Sequence, residues 1–233
     1  MGMFVGTSGY NYPEWKGRFY PETMPAARML PYYAERFSTV EINYTFYRMP
    51  TEKIVAGWSQ ATPPGFRFTL KAPKRITHDA RLRNCEDLVR RFLEVAATLG
   101  PKLGALLFQL APNMQCDEGL LAEFLGLLPH GAPAAFEFRH PSWFTDGVFG
   151  LLEARGVALC VADNEKLSTP VRVTAPHAYF RLRDEGYTSE DLVRWAGTVR
   201  DRTAGCRDVY VYFKHEDEGK GPEFARTFMD ALG

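Results

Sequence analysis

Gly104-Ala105-Leu106-Leu107-Phe108-Gln109 is followed, after a helix-length segment at Asp117–Leu128, by Pro133-Ala134-Ala135-Phe136-Glu137-Phe138-Arg139. Both outer stretches are short apolar runs that end in polar side chains, which is how a buried strand reads. Strand, helix, strand is the unit of a parallel sheet. The pattern extends both ways. Upstream lie strand candidates at Met3–Thr7, Thr39–Asn43 and Arg67–Lys71; downstream lie Val157–Ala162, His177–Leu182 and Asp208–Phe213. Helical patterns at Arg28–Phe37, Glu52–Ala61, Cys85–Leu99, Asp146–Arg155, Ser189–Thr203 and Pro222–Leu232 fill the gaps. In Cys85–Leu99, the residues Leu88, Phe92, Val95 and Leu99 share one face; Asn84 or Asp87 is expected to cap its start and Gly100-Pro101 to end it. Asp163–Thr169 is the exception, with room for a turn or a single helical turn.

Eight strands alternating with about seven helices define the α/β class and predict a TIM-type (β/α)8 barrel. The whole chain, residues 1–233, is expected to form one domain, with the crossover helix after strand 6 short or missing. The competing architecture is an open doubly wound sheet. Its nucleotide-binding form needs a glycine-rich turn that opens a helix. Here Gly6-Thr7-Ser8-Gly9 runs into Tyr10-Asn11-Tyr12-Pro13, which does not fit.

Composition narrows the partners. Hydrophobic residues make up 45% and charged residues 24%, so the chain can bury a core and is not a disordered sequence. Lys plus Arg is 28 and Asp plus Glu is 28, so no global positive field draws in nucleic acid. Cys85, Cys116, Cys160 and Cys206 form no CxxC pair and read as reduced thiols. Residues 1–6 lack the charged start and apolar run of a secretory leader, and no apolar stretch has membrane-spanning length. A cytoplasmic protein with no membrane partner is expected.

In such a barrel, reactive groups gather at the C-terminal ends of the strands. Those ends supply Glu41 and Asn43, Lys71, Gln109, Glu137 and Arg139, Asp163, Arg181 and Arg183, then Tyr210, Tyr212 and Lys214. Cations outnumber carboxylates, which favours an anionic ligand gripped by guanidinium groups. A purely structural alternative is a salt-bridged plug, pairing Glu137 with Arg181 or Glu41 with Lys71.

The chain also resembles a known family. The segments that carry the resemblance are Gly6-Thr7-Ser8-Gly9-Tyr10 with Trp15-Lys16-Gly17 and Phe19-Tyr20-Pro21, then Val40-Glu41-Ile42-Asn43-Tyr44-Thr45-Phe46-Tyr47. Lys71-Ala72-Pro73, Ile76-Thr77-His78, Leu107–Asn113, Phe136–Trp143, Ala162-Asp163, Tyr179–Leu182 and Val209–Phe213 continue it. Together they resemble the YecE-like family, domain of unknown function 72, over nearly the whole chain. The resemblance implies a TIM-type barrel and no established activity. A likeness of that family to zinc-dependent apurinic endonuclease barrels is a fold analogy. Two features depart from the family pattern: Lys214-His215 stands where relatives often have Asn-Asn, and Arg183-Asp184-Glu185-Gly186-Tyr187 is a short loop.

The reading that uses most of these residues is a small anionic ligand, phosphorylated or nucleotide-like. Lys71, Arg139 and Arg181 would clamp the anion, while Asn43, Gln109, Asp163 and Tyr212 would bind and orient the ligand. Glu137 and Glu41 would form an acid/base pair, one raised in pKa by the other. His140 would relay protons or cap its loop. No cofactor is expected beyond, at most, a single divalent metal, for which His78, His140 and His215 with Glu137 or Asp163 are the available ligands. The alternatives are a metal-dependent nucleic-acid hydrolase, supported by the basic run Lys71, Lys74, Arg75, Arg81 and Arg83, and a binding module without chemistry. Loop aromatics with two strand-end glutamates also recommend weighing a carbohydrate, though the arginine surplus suits a neutral sugar poorly. Oligomeric state is not legible.

Overall fold

In the computed structural model, which describes residues 1–163, 167–215 and 219–233, the sheet closes on itself. The strands are β1 (Gly2–Ser8), β2 (Thr39–Ile42), β3 (Arg67–Lys71), β4 (Leu103–Gln109), β5 (Ala134–Glu137), β6 (Ala158–Asp163), β7 (His177–Leu182) and β8 (Asp208–Phe213). Each pairs in parallel with its sequence neighbour, and β8 returns to β1 over Gly2↔Asp208 through Thr7↔Phe213. The helices are α1 (Ala26–Ala34), α2 (Tyr44–Tyr47), α3 (Glu52–Gln60), α4 (Glu86–Ala97), α5 (Glu118–Gly126), α6 (Asp146–Arg155), α7 (Ser189–Arg202) and α8 (Lys220–Leu232). This is the expected (β/α)8 barrel. In the β6–β7 connection, residues 167–176 hold no helix, and 164–166 of the expected turn lie outside the described residues.

Local chemistry explains most boundaries. Thr145 and Asp117 accept the first free amides of α6 and α5, from Val148 and Leu120. Thr188 and Asp191 form a reciprocal capping box on α7. Gly156 ends α6 at φ 62°, a left-handed position where a side chain would be strained. The expected caps of α4 are not used: Cys85 occupies the N-cap position without a side-chain bond, and Asp87, inside the first turn, pairs with Arg90.

Alternation along the strands sorts the side chains. Val5, Val40, Ile42, Phe68, Phe108 and Phe136 face outward and join the helices in one apolar shell. Leu107, Ala135, Cys160, Tyr179, Tyr210 and Tyr212 face inward. The lumen is thus only partly aliphatic. Its middle is held by hydroxyls: Tyr212 Oη lies 2.7 Å from Thr39 Oγ1 and 2.8 Å from Thr69 Oγ1.

One helix side chain enters the ladder itself. The buried Tyr33 Oη accepts the Thr7 amide at 2.8 Å and donates to the Thr39 carbonyl at 3.0 Å, bridging β1 and β2. Tyr33→Phe would leave both backbone groups unmet, at about 1–3 kcal/mol. Urea unfolding of this variant should show a lower midpoint with an unchanged slope.

Candidate functional site

The same alternation gathers Ser8, Glu41, Lys71, Gln109, Glu137 and Arg181 inside the barrel at the C-terminal ends of six strands. At their centre, the Arg181 guanidinium donates from Nη1 to Glu137 Oε2 at 2.5 Å and from Nη2 to Glu41 Oε1 at 2.8 Å. All three side chains are at most 1% exposed. Glu41 also accepts from Ser8 Oγ and, at 2.5 Å, from Tyr179 Oη. Glu137 Oε1 accepts from Gln109 Nε2 at 2.9 Å and lies 3.5 Å from Arg183 Nη1. The expected Glu137–Arg181 pair is present. The alternative Glu41–Lys71 pair is not: Arg181 serves both carboxylates.

This arrangement decides the protonation states. Burial, the largest single influence, would raise both carboxyls, but Arg181 together with the surrounding hydrogen bonds and cations outweighs it. Glu41 is held below the ordinary carboxylate value, and Glu137, with Arg183 adding to the effect, is held at about 2. The expected acid/base pair, with one glutamate raised by the other, is therefore corrected. Two carboxylates sharing one guanidinium feel its charge more than each other's. Neither holds a proton to give near neutral pH.

Lys71 is in the opposite situation. It is 8% exposed, and among the described residues no hydrogen bond or ion pair reaches its Nζ, which sits 4.1 Å from the centroid of the Phe46 ring. Burial and then Arg181 lower its pKa to about 7, Glu41 and Glu137 only partly opposing, and Lys214 lowers it further. Arg139 is half-buried and makes no ion pair or side-chain hydrogen bond among the described residues. Burial lowers the pKa of His78, with Lys71, Arg139 and Lys74 adding to the shift. The loop that carries His78 is unusual in its backbone: Arg81, Leu82 and Asn84 have φ of 48°, 67° and 47°. Such values are uncommon outside glycine and collect at functional segments.

Other expected site residues lie elsewhere. Asp163 falls on the outward face of β6, where its carboxylate accepts from Tyr187 Oη at 2.7 Å and Trp195 Nε1 at 3.2 Å; it anchors α7 rather than facing the lumen. His140 takes the loop-capping role, its Nδ1 accepting the Ser142 amide at 3.2 Å. Tyr212 lies below the charged cluster and is fully buried among threonines. Asn43 borders the site: it donates to Ser8 Oγ at 2.9 Å, and its buried Oδ1 has no partner among the described residues. It also lines a cleft of about 330 Å³ with Tyr10, Tyr12, Tyr44, Ile54 and Trp58. Among the described residues, no three His, Cys, Asp or Glu side chains converge as metal ligands. His215, one of the suggested ligands, is bonded through Nε2 to the Asp184 carbonyl at 2.6 Å.

Ser8 and Tyr179 were not singled out from the sequence as partners of the charged cluster. The signal for both is parity: Tyr179 stands two residues before Arg181, and Ser8 is level with Glu41 in the β1–β2 register.

A parallel barrel with a buried, cross-strand arginine–glutamate cluster beneath a cationic mouth is the class that fold and site define. A family model described as "Protein of unknown function DUF72" matches residues 4–233. The chain belongs to the DUF72 family. It is 32% identical over 182 residues to UPF0759 protein YecE of Escherichia coli K12, an alignment covering 76% of this chain and 63% of that protein. It is 22% identical to UPF0759 protein YunF of Bacillus subtilis, over 99% of this chain and 94% of that one. The crystal structure of a DUF72 family protein from Thermotoga maritima superposes with a TM-score of 0.86 at 27% identity, covering 100% of this chain and 99% of the other. A glycoside hydrolase family 5 enzyme from Prevotella bryantii superposes at 0.52 with 9% identity, over 99% of this chain and 96% of that one, a likeness of fold alone. No helix among the described residues is long and apolar enough to cross a membrane.

Two outcomes follow from the charges. Arg181→Met leaves two buried carboxylates without their cation and should cost about 3–5 kcal/mol at pH 7. The loss should shrink as pH falls from about 5 toward 2, because a carboxylate with a depressed folded pKa contributes stability above its unfolded pKa and loses it on the way down through the folded one. Denaturant titrations at several pH values check this. Lys71 has the other sign: burying its charged form costs stability below about pH 7, and that cost fades as pH rises toward the ordinary lysine value. Lys71→Met should therefore raise the melting temperature more at pH 6 than at pH 9.

Proposed function

We propose that this barrel binds a small anionic ligand, phosphorylated or carboxylated, at its C-terminal mouth. One observation carries the reading: the two lumenal carboxylates are bound to Arg181, and the cations around them are left in excess. Lys71, Arg139 and Arg183 surround the mouth, Arg183 with only a 3.5 Å contact to Glu137 and the other two with no carboxylate partner among the described residues. Burial lowers the proton affinity of Lys71 and Arg183, and an arriving anion would supply the missing counter-charge and hydrogen-bond acceptors. The aromatic cleft next to Asn43 is suited to hold an uncharged portion of the same ligand.

The acid/base reading of a glycosidase is less well supported, since it needs one protonated carboxyl and both glutamates are held ionised. The described residues offer no converging ligand set that would favour the metal-dependent hydrolase.

The test is a thermal-shift series with sulfate, phosphate and glycerol 3-phosphate on the wild type and Arg139→Ala. Sulfate keeps its charge across the accessible pH range, so its binding reports the protein's own titration. An anion at about a hundred times its dissociation constant should add about 2.7 kcal/mol of stability to the wild type and much less to the variant. If no anion shifts either protein, the charged ring is a structural plug and the reading fails.

A further inference from the structure

We infer that Lys71 is an imine-forming residue: its Nζ condenses with the carbonyl carbon of a small anionic carbonyl compound held at the mouth of the barrel. This rests on the anion-binding reading and names the chemical class of the ligand. The geometry distinguishes Lys71 from an ordinary structural lysine. It ends β3 on the lumenal side, level with Leu107 of β4, so its amine enters the space that Glu41 and Arg181 border. A lysine kept for structure is normally anchored by a carboxylate or by carbonyl groups, as Lys102 is here by the Ser59 and Thr62 carbonyls at 2.6 and 2.7 Å. Lys71 has no such acceptor among the described residues. Its Nζ faces the Phe46 ring at 4.1 Å, and His78 packs edge-on against the same ring at 5.0 Å between centroids.

A buried amine next to other cations is an activated nucleophile, because the ammonium form is the one disfavoured. With a pKa of about 7, a large share of Lys71 is free base at neutral pH. For an unperturbed lysine the share is below roughly one in a thousand. The condensation is balanced without a redox partner. The amine adds to the carbonyl carbon, a C–N bond forms, the carbon–oxygen bond breaks, and the oxygen leaves as water with the two amine protons. Arg139 and Arg183 are placed to hold the carboxylate or phosphate of the same molecule. Both lumenal carboxylates are bonded to Arg181; Arg139 has no carboxylate partner among the described residues, and Arg183 has only the 3.5 Å contact with Glu137, so both can take up the incoming anion.

The experiment treats the full chain with pyruvate or with dihydroxyacetone phosphate, reduces it with sodium borohydride, and maps the adduct by peptide mass spectrometry. The expected result is one reduced adduct on the peptide containing Lys71, at least tenfold above any other lysine. Lys71→Arg keeps a cation but no nucleophilic amine and should lose that adduct, while its melting curve reports that it folds. The better-labelling compound identifies the anionic group as carboxylate or phosphate. Lactate and glycerol 3-phosphate, which lack the carbonyl, are tested on the wild type by thermal shift. Stabilisation by either without any Lys71 adduct overturns the imine and leaves the anion site standing. Labelling spread evenly over surface lysines also overturns it. Neither stabilisation nor adduct ends both readings.

Discussion

The Arg181 guanidinium, placed between Glu41 and Glu137, is the interaction on which the rest of the site depends. It joins strands β7, β2 and β5 across the lumen through two charge-assisted bonds of 2.8 and 2.5 Å. Burying three charges is expensive, and the arrangement is tolerable because the oxygens around them are satisfied. Ser8 and Tyr179 complete Glu41, and Gln109 completes one oxygen of Glu137. Replacing such a buried charge network by well-packed apolar side chains is often neutral or stabilising. What the network contributes instead is definition: it fixes which groups are charged and where each oxygen points.

The mouth inherits its character from that definition. Because a single arginine serves both glutamates, Lys71 and Arg139 have no carboxylate partner among the described residues. The barrel wall keeps water partly away from Lys71, and its cationic neighbours work against its ammonium form. On the proposed anion-binding reading, a group in that state is electrostatically prepared before any ligand arrives. The aromatic cleft lined by Asn43 and Trp58 meets the charged cluster through Asn43, which donates to Ser8 Oγ at 2.9 Å.

Much of the fold was legible in the sequence, and the reasons are local. His177–Leu182, Arg67–Lys71 and Asp208–Phe213 are strands with the bounds that their apolar runs and flanking turn residues indicate. Asp146–Arg155 is bounded by Thr145 and Gly156, residues that carry the capping chemistry themselves. The start of α4 was less legible: Asn84 and Asp87 both have the chemistry of a cap, but Asn84 is drawn into a left-handed turn and Asp87 falls inside the first turn. Asp163 shows the corresponding difficulty in a strand. The polar end of β6 looks like a lumenal position, but the register of Cys160 and Ala162 sends it to the outer face, toward Tyr187 and Trp195.

The sequence by itself determined the repeating unit and the list of polar groups near the strand ends, because hydrophobic period and strand parity are properties of a few consecutive residues. From these come the closed parallel sheet and the lumenal placement of Glu41, Lys71, Gln109, Glu137 and Arg181. Only the tertiary structure decided which of these groups pair and which do not. Residues such as Glu41 and Arg181 are distant in the chain and meet only when the sheet closes. Charge pairing depends on separations of a few ångströms and on how deeply each group is buried, and neither quantity is encoded in any local pattern. That is why the sequence could name Lys71 and Glu41 as partners, while the folded barrel bound Glu41 to Arg181 and left the lysine with a proton it holds only weakly.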